Sequence, residues 1–302
     1  MKEDKTHQIV PAALQVAQAV VWGCRFKPVR IFLFLLFFII ARQGLSAQCA
    51  LPEELFHNKE EIHYELYFKW GILMPKAGGA VATMHDSTYD GKPAWHYELL
   101  FYSSGMVDRM FRVRDTIDSY FSRQQPTPLF SSKRSLEGGY YQIDEINFLG
   151  KKEGKNAVHS LRRSKHHVKI DSVMYTDKCV TDILGALTHI RTLDWTKMEI
   201  NDEVKVSVIM GRDMIPVSYR YAGQQVIDRG NVKYRTRLFY VDVYDESFTQ
   251  SKESAEVWIG DDANHLPIKI RAKLKIGAAE AYFSDSKNLK HPLTCRIVVP
   301  KR

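Results

Sequence analysis

Apolar and polar residues alternate with a period of two along most of the chain. In Glu61–Trp70, Ile62, Tyr64, Leu66, Phe68 and Trp70 share one face, and Glu61, His63, Glu65 and Lys69 share the other with Tyr67. In Glu203–Met210 the apolar face is Val204, Val206, Val208 and Met210. In Leu266–Ile276 it is Ile268, Ile270, Ala272, Leu274 and Ile276, opposite Lys269, Arg271, Lys273 and Lys275. This is the pattern of antiparallel strands with one face on a core and one in water. Weaker runs of the same kind cover 79–85, 94–102, 115–121, 140–149, 167–172, 217–222, 234–244, 255–260 and 278–284. Turn-forming groups stand between them, among them Asp90-Gly91, Glu137-Gly138-Gly139, Gly150–Gly154, Arg229-Gly230-Asn231 and Asp261–Asn264.

One segment has a helical period. After Thr181 and Asp182, both good N-caps, Ile183, Leu184, Leu187 and Ile190 form a stripe, and the spacing predicts a helix over Asp182–Trp195. A shorter helix is predicted at Gly105–Phe111. No repeat or low-complexity linker divides the chain, so residues 48–302 read as a single mature β-rich domain. So many strands must curl or be covered to hide their apolar face. The expectation is mostly β: a large twisted antiparallel meander curled into an open or partly closed barrel with one packed helix. A two-sheet sandwich is the alternative.

The N-terminus bears on compartment. Ile31–Ile40 is a continuous apolar run, preceded by Arg25, Lys27 and Arg30 and followed by Ala41, Gly44, Ser46 and Ala47. A basic segment, a short apolar segment and small residues make a signal peptide, 1–47, with cleavage expected between Ala47 and Gln48. About ten residues span only ~15 Å as a helix, short for a hydrocarbon core of ~30 Å. The alternative is an inner-membrane anchor through an uncleaved 31–40 segment. Gln48 directly before Cys49 argues against a lipoprotein. The long stretch before the apolar run points to a translation start near Val21 or Val29.

Composition changes this picture little. Hydrophobic residues are 45% and charged residues 26%, a globular profile. About half of the net charge of +8 sits in the leader, which leaves no nucleic-acid footprint on the mature chain. Cys49, Cys179 and Cys295 remain after the leader, an odd number that rules out a complete disulfide framework. An oxidising compartment allows one bridge, and Cys49 with Cys295, near the two ends, is one such pair; three unpaired thiols are the other reading.

The sequence specifies no reaction. GxSxG, Walker A, HExxH, GxGxxG and EF-hand patterns are missing, and no CxxC occurs. His166-His167 would point to opposite faces of a strand, a poor metal pair. Asp261-Asp262-Ala263-Asn264 has oxygen ligands for Ca²⁺, but the same residues make turns by bonding their own backbone. Asp115 and Asp118, three apart on a strand, face opposite sides, which is wrong for a shared acid–base pair. The Lys269, Arg271, Lys273, Lys275 row could meet anionic lipid or lipopolysaccharide, and equally reads as the solvated side of a strand. No catalytic residue, metal ligand or cofactor is therefore expected.

The order of several short pieces carries a resemblance. They are Tyr64-Glu65-Leu66-Tyr67 with Trp70-Gly71; Gly78-Gly79; Val113-Arg114-Asp115 running to Ser119-Tyr120 and Pro128; Thr181–Leu187 with Ile190-Arg191; and Val257–Asp262 with Leu266-Pro267-Ile268 and Ile276-Gly277. In this succession the chain resembles the bacterial envelope family of domain of unknown function 3108 over a core of 60–284. The resemblance implies an exported, mostly β protein of Gram-negative bacteria with no established activity. The signal-peptide style resembles that of Bacteroidetes.

The functional expectation is a non-catalytic periplasmic module for a lipid, lipoprotein or other hydrophobic ligand. Its candidate ligand-binding residues are Tyr64, Leu66, Phe68, Trp70, Ile268 and Ile270, on two strand faces that would line a concave interior. The alternative is a structural protein of envelope assembly that pairs a partner at a sheet edge; an enzyme is a third reading. Polytopic membrane insertion and nucleic-acid binding are not expected.

Overall fold

The alternating segments form sixteen strands: β1 (Glu60–Lys69), β2 (Lys76–Tyr89), β3 (Lys92–Ser103), β4 (Val113–Ser122), β5 (Pro128–Glu137), β6 (Tyr140–Lys152), β7 (Lys155–Ser164), β8 (Val168–Thr176), β9 (Val180–Thr181), β10 (Glu203–Met210), β11 (Asp213–Arg229), β12 (Val232–Val243), β13 (Ser251–Gly260), β14 (Pro267–Lys273), β15 (Ala278–Lys287) and β16 (Arg296–Val298). Two α-helices accompany them, α1 (Gly105–Met110) and α2 (Ile183–Ile190). The computed structural model describes residues 50–229, 231–243, 251–274 and 277–298. The leader, Cys49, Lys275 and Ile276 lie outside the described residues.

The turns follow from their residues. Asp90-Gly91, Gly138-Gly139 and Glu153-Gly154 each join paired strands through two residues of positive φ. Such two-residue turns match the twist of a hairpin.

All strands fall in one sheet, ordered β8-β7-β6-β5-β4-β3-β2-β1-β15-β14-β13-β12-β11-β10-β9, with β16 on β12. Every ladder is antiparallel except the short parallel β9–β10 pair. A single sheet replaces the sandwich alternative. Its two edges, β8 and β9, are neighbours in sequence, so the sheet must curl until they meet. No ladder joins them; side chains do. Ile146, Val158 and Met174 from one edge pack with Val180, Ile209 and Met214 from the other. The result is an open barrel whose two edges share a packed seam without a ladder between them.

The interior is filled. Ile62, Met84, Trp95, Phe121, Leu184 and Ile268 belong to one buried cluster, and Ile190, Tyr219, Phe239 and Ile259 to a second. Helix α2 bridges the two. Leu184 and Ile190 are fully buried, whereas Ile183 and Leu187 are half-buried. The expected helix to Trp195 is corrected to one of eight residues, ~12 Å long. Arg191 and Thr192 donate to the carbonyls of Thr188 and His189, three residues back, and this tightening ends the helix. Asp194 then caps a separate 3₁₀ turn, Trp195–Lys197, so the apolar stripe serves two elements.

Four strands escaped the pattern: β5, β7 and the short β9 and β16. On β5 the inward positions Ser131, Lys133 and Ser135 are polar: Ser131 faces the start of α2, and Lys133 and Ser135 face Asp115 of β4, at 3.5 and 3.3 Å. Ser119 on β4 donates to the Asp182 carboxylate there and lies 3.4 Å from the Ser131 hydroxyl. Asp182 in turn accepts from the Gly185 N–H at 2.9 Å, capping α2. A Cβ on Gly185 would stand 1.8 Å from Thr181 Oγ1, so only glycine admits this close approach.

Burial raises the Asp182 carboxyl above its ordinary range, although Ser119, Ser131 and the Gly185 N–H pull it back. The folded chain therefore holds this proton more tightly than the unfolded chain. Stability from this group is present below an unfolded value of about 3.9 and declines as pH rises through the folded value. Asp182→Asn keeps a capping oxygen and removes that decline. In urea melts at a series of pH values, its stability relative to the parent should rise with pH; a flat or falling difference would contradict the buried-carboxylate account.

The C-terminal tail closes one end. Asn264 accepts from the His291 N–H at 3.0 Å, and Asp262 accepts from the Cys295 N–H at 3.0 Å. The acidic turn thus spends its oxygens on the tail and on Arg237, which reaches Asp261 at 3.1 Å. Cys295 is a free, fully buried thiol, and burial lifts it far above the usual thiol range. The Cys49–Cys295 pair is therefore corrected. Cys179 is disulfide-bonded, and its partner lies outside the described residues.

Candidate functional site

The six expected ligand residues do not converge on one cavity. Tyr64 and Leu66 pack against the first cluster and Ile268 lies within it, whereas Ile270 packs against the second. Phe68 is half-buried near the β14–β15 turn, where Gly277 approaches its ring. Trp70 lies past the end of β1 in an exposed turn, bridged to Leu73. The alternation placed the β1 residues correctly on one face, but α2 and the bulky rings occupy the space that face encloses.

A cavity instead sits beside the seam. It measures about 460 Å³ and is mainly apolar. Leu51, Val206 and Pro216 form apolar wall, with Gly185 and His189 of α2 on one side. The exposed Lys178 and Lys205 stand at its border, and Cys179 and Thr181 line it from the β8–β9 link. His189 stacks on Tyr219 with ring centres 6.0 Å apart. Its Nδ1 is buried without a hydrogen-bond partner among the described residues. Burial lowers the His189 pKa, so the imidazole is neutral at neutral pH. A neutral ring nitrogen and two ammonium groups at the edge of an apolar cavity suit a ligand with an apolar body and an acidic head. The 3.6-residue stripe of α2 leaves His189 off its apolar face, and nothing in the sequence signals that Lys205 and His189 meet.

The outer face carries polar chemistry of its own. Strand register sets Glu98 opposite Asp118 and His96 opposite Tyr120. His96, Glu98 and Asp118 each offer a ligand atom within 4.8 Å of the others, a set that fits a divalent cation. The oxygens of Asp118 are already engaged: His96 Nε2 lies at 2.8 Å, and Arg134 donates at 2.8 Å and Ser132 at 3.3 Å. Burial works against the Asp118 carboxylate, but His96 and Arg134 outweigh it and hold its pKa below the ordinary range. Sequence reasoning missed this set because its members come from two strands and meet only through register. Asp115 faces the other side of β4, as the spacing requires.

The basic row is not bare. Lys269 lies over the rings of Trp258 and Tyr282, at 4.5 and 5.2 Å, and 3.7 Å from the buried Glu280. Arg271 pairs with Glu256 at 3.2 Å, and Lys273 with Glu253 at 3.6 Å. The carboxylates of β13 and β15 neutralise a row that β14 alone shows as basic.

Comparison with known proteins agrees with this architecture. The family model described as "Protein of unknown function (DUF3108)" matches residues 63–284. Among curated proteins nothing matches. A crystal structure of a beta-barrel-like protein of domain of unknown function DUF1849 from Brucella abortus superposes with a TM-score of 0.51 at 7% identity. The superposition covers 77% of this chain and 98% of that one, and at that identity it shows the fold alone.

Proposed function

The chain belongs to the DUF3108 family, whose function is unknown, and from that premise we propose that it is an exported, non-catalytic binding module of the Gram-negative cell envelope. Its ligand is a lipid-like molecule with an acidic head, held in the seam cavity. The observation that carries this reading is the apolar cavity of about 460 Å³ bordered by Lys178, Lys205 and His189, whose Nδ1 has no hydrogen-bond partner among the described residues. The apolar run 31–40 with Ala47 after it supports export. A fluorescent fatty acid tests the site. Saturable micromolar binding is expected, weakened at least ~10-fold by Lys178→Glu with Lys205→Glu, equivalent to about 1.4 kcal/mol. Both lysines are exposed, so the variant should fold. Equal binding by the variant, or none by the parent stripped of lipid, would end the proposal.

A second reading has its own observation. Strand β8 has a ladder on one side only, with β7, and exposes Val173 and Tyr175. Such an edge can accept a partner's strand in envelope assembly. Its outward amides should exchange hydrogen within seconds in the purified protein. Strong protection there would mean the edge is already covered, and this reading would fall.

A further inference from the structure

The two ends of the barrel differ in a way no ligand cavity explains. In an antiparallel sheet the β1–β2, β3–β4, β5–β6 and β14–β15 connections emerge at one end, since the end of β1 pairs with the start of β15. The β2–β3 and β6–β7 turns emerge at the other. That other end shows Asp90-Gly91 and Glu153-Gly154, without an exposed large apolar side chain in either turn. The first end shows Trp70, Ile72 and Leu73 in the β1–β2 turn, and Met106, Met110 and Phe111 in the β3–β4 connection, all exposed. Ile72 is 101% exposed, Met110 81%, Met106 76% and Trp70 61%. Leu274 in the β14–β15 turn is exposed with them.

These side chains form one rim, because contacts link the turns in succession. A Cβ on Gly277 would meet the Lys69 carbonyl at 2.1 Å, which sets the β14–β15 turn against the end of β1. Trp70 and Leu73 close the β1–β2 turn through paired backbone bonds of 2.9 and 3.0 Å. Ser104, at the start of α1, donates to the Ala77 carbonyl at 2.9 Å. The Phe111 ring lies under Gly138 of the β5–β6 turn. A soluble surface rarely gathers so many apolar side chains without a partner.

Charge and side-chain chemistry select the partner. Exposed Arg109 and Arg112 flank the rim, with Lys76 and Lys273 beside them, paired with Glu65 at 2.7 Å and Glu253 at 3.6 Å. Arg109 makes no ion pair among the described residues, and Arg112 reaches only Asp108, at 3.7 Å. Apolar tips with an indole among them and cations set just behind are what a bilayer surface receives: side chains enter the acyl boundary while the cations stay at the headgroups. No helix among the described residues is long and apolar enough to cross a membrane.

We propose that this rim docks the barrel on an anionic lipid surface, with Trp70, Ile72, Leu73, Met106, Met110 and Phe111 inserted. The proposal is independent of the seam cavity, whose lining residues take no part in the rim.

Trp70 provides the readout in a Trp22→Phe background, since Trp95, Trp195 and Trp258 are buried and Trp22 lies outside the described residues. The full chain is mixed with phosphatidylcholine vesicles containing 30% phosphatidylglycerol, with and without a lipid-borne quencher. Emission should shift to the blue and be quenched, and Trp70→Phe should abolish the change. Ile72→Glu with Met106→Glu and Met110→Glu should raise the lipid needed for half-maximal quenching at least ~10-fold, as should pure phosphatidylcholine. The three sites are exposed, and unchanged thermal unfolding will confirm that the variant folds. An unshifted Trp70 in the parent, or equal quenching in the folded triple variant, would overturn the proposal. So would concentration-dependent self-association that the triple variant abolishes while vesicles leave Trp70 untouched, since the rim would then face protein.

Discussion

Replacing Arg191 with leucine should destabilise the fold by about 3–5 kcal/mol in a urea melt, the usual effect of leaving a buried charge without its partner. Arg191 and Glu60 are 4% and 3% exposed. They meet through two parallel bonds of 2.9 and 3.2 Å, and Arg191 also donates to the Asn264 carbonyl at 3.1 Å. This one side chain ties the end of α2 to the start of β1 and to the β13–β14 turn. Water cannot reach Glu60 to replace the guanidinium, so its carboxylate would be stranded among Tyr64 and Tyr97. The Tyr97 hydroxyl already reports that environment, since burial pushes its pKa up to about 12. The pair itself need not stabilise the fold, because desolvating two charges offsets much of their attraction. Glu60→Leu with Arg191→Leu should therefore recover most of the single variant's loss. A single-variant cost under ~1 kcal/mol would mean that the site opens and hydrates.

Leu184→Ala is expected to cost about 2–5 kcal/mol, the range for a leucine lost from a rigid core. Leu184 is fully buried and touches the cluster built by β1, β2, β3 and β4. The surrounding sheet cannot collapse into the gap, because its curvature is set by fifteen neighbouring strands on one path. Leu187 lies one turn further along the stripe but is only half-buried, so Leu187→Ala should cost clearly less. The stripe alone makes the two residues equivalent. Thermal melts of both variants separate them, and an equal loss would place Leu187 in the core as well.

Much of the barrel was legible in the order of residues. Period-two alternation in 61–70 and 203–210 marked β1 and β10, because a half-buried strand must put apolar side chains on one face. Asp90-Gly91 and Glu137-Gly138-Gly139 marked hairpins, because two-residue turns need positive φ. Thr181 and Asp182 marked the start of α2, because a helix leaves its first N–H groups unpaired. The succession of these pieces was enough to indicate the DUF3108 family. Strand β5 was not legible, because Ser131 faces a polar helix start and Ser135 the buried Asp115, placements that depend on the whole fold.

What the sequence by itself determined, then, was the local periodicity, the turns and most of the strands to be hidden. Where the interior is full and where it is hollow was decided only in three dimensions. Alternation says which side of a strand is inward, but not what occupies the inside. Once α2 and the rings of Trp95, Phe121 and Phe239 fill the barrel, the cavity is displaced to the seam, where Lys178, Val206 and His189 meet from distant parts of the chain. The pairing of His96 with Asp118 and the gathering of exposed turns on one rim have the same origin. Each depends on strand register and on the curl of the sheet, which contacts between residues far apart in sequence impose.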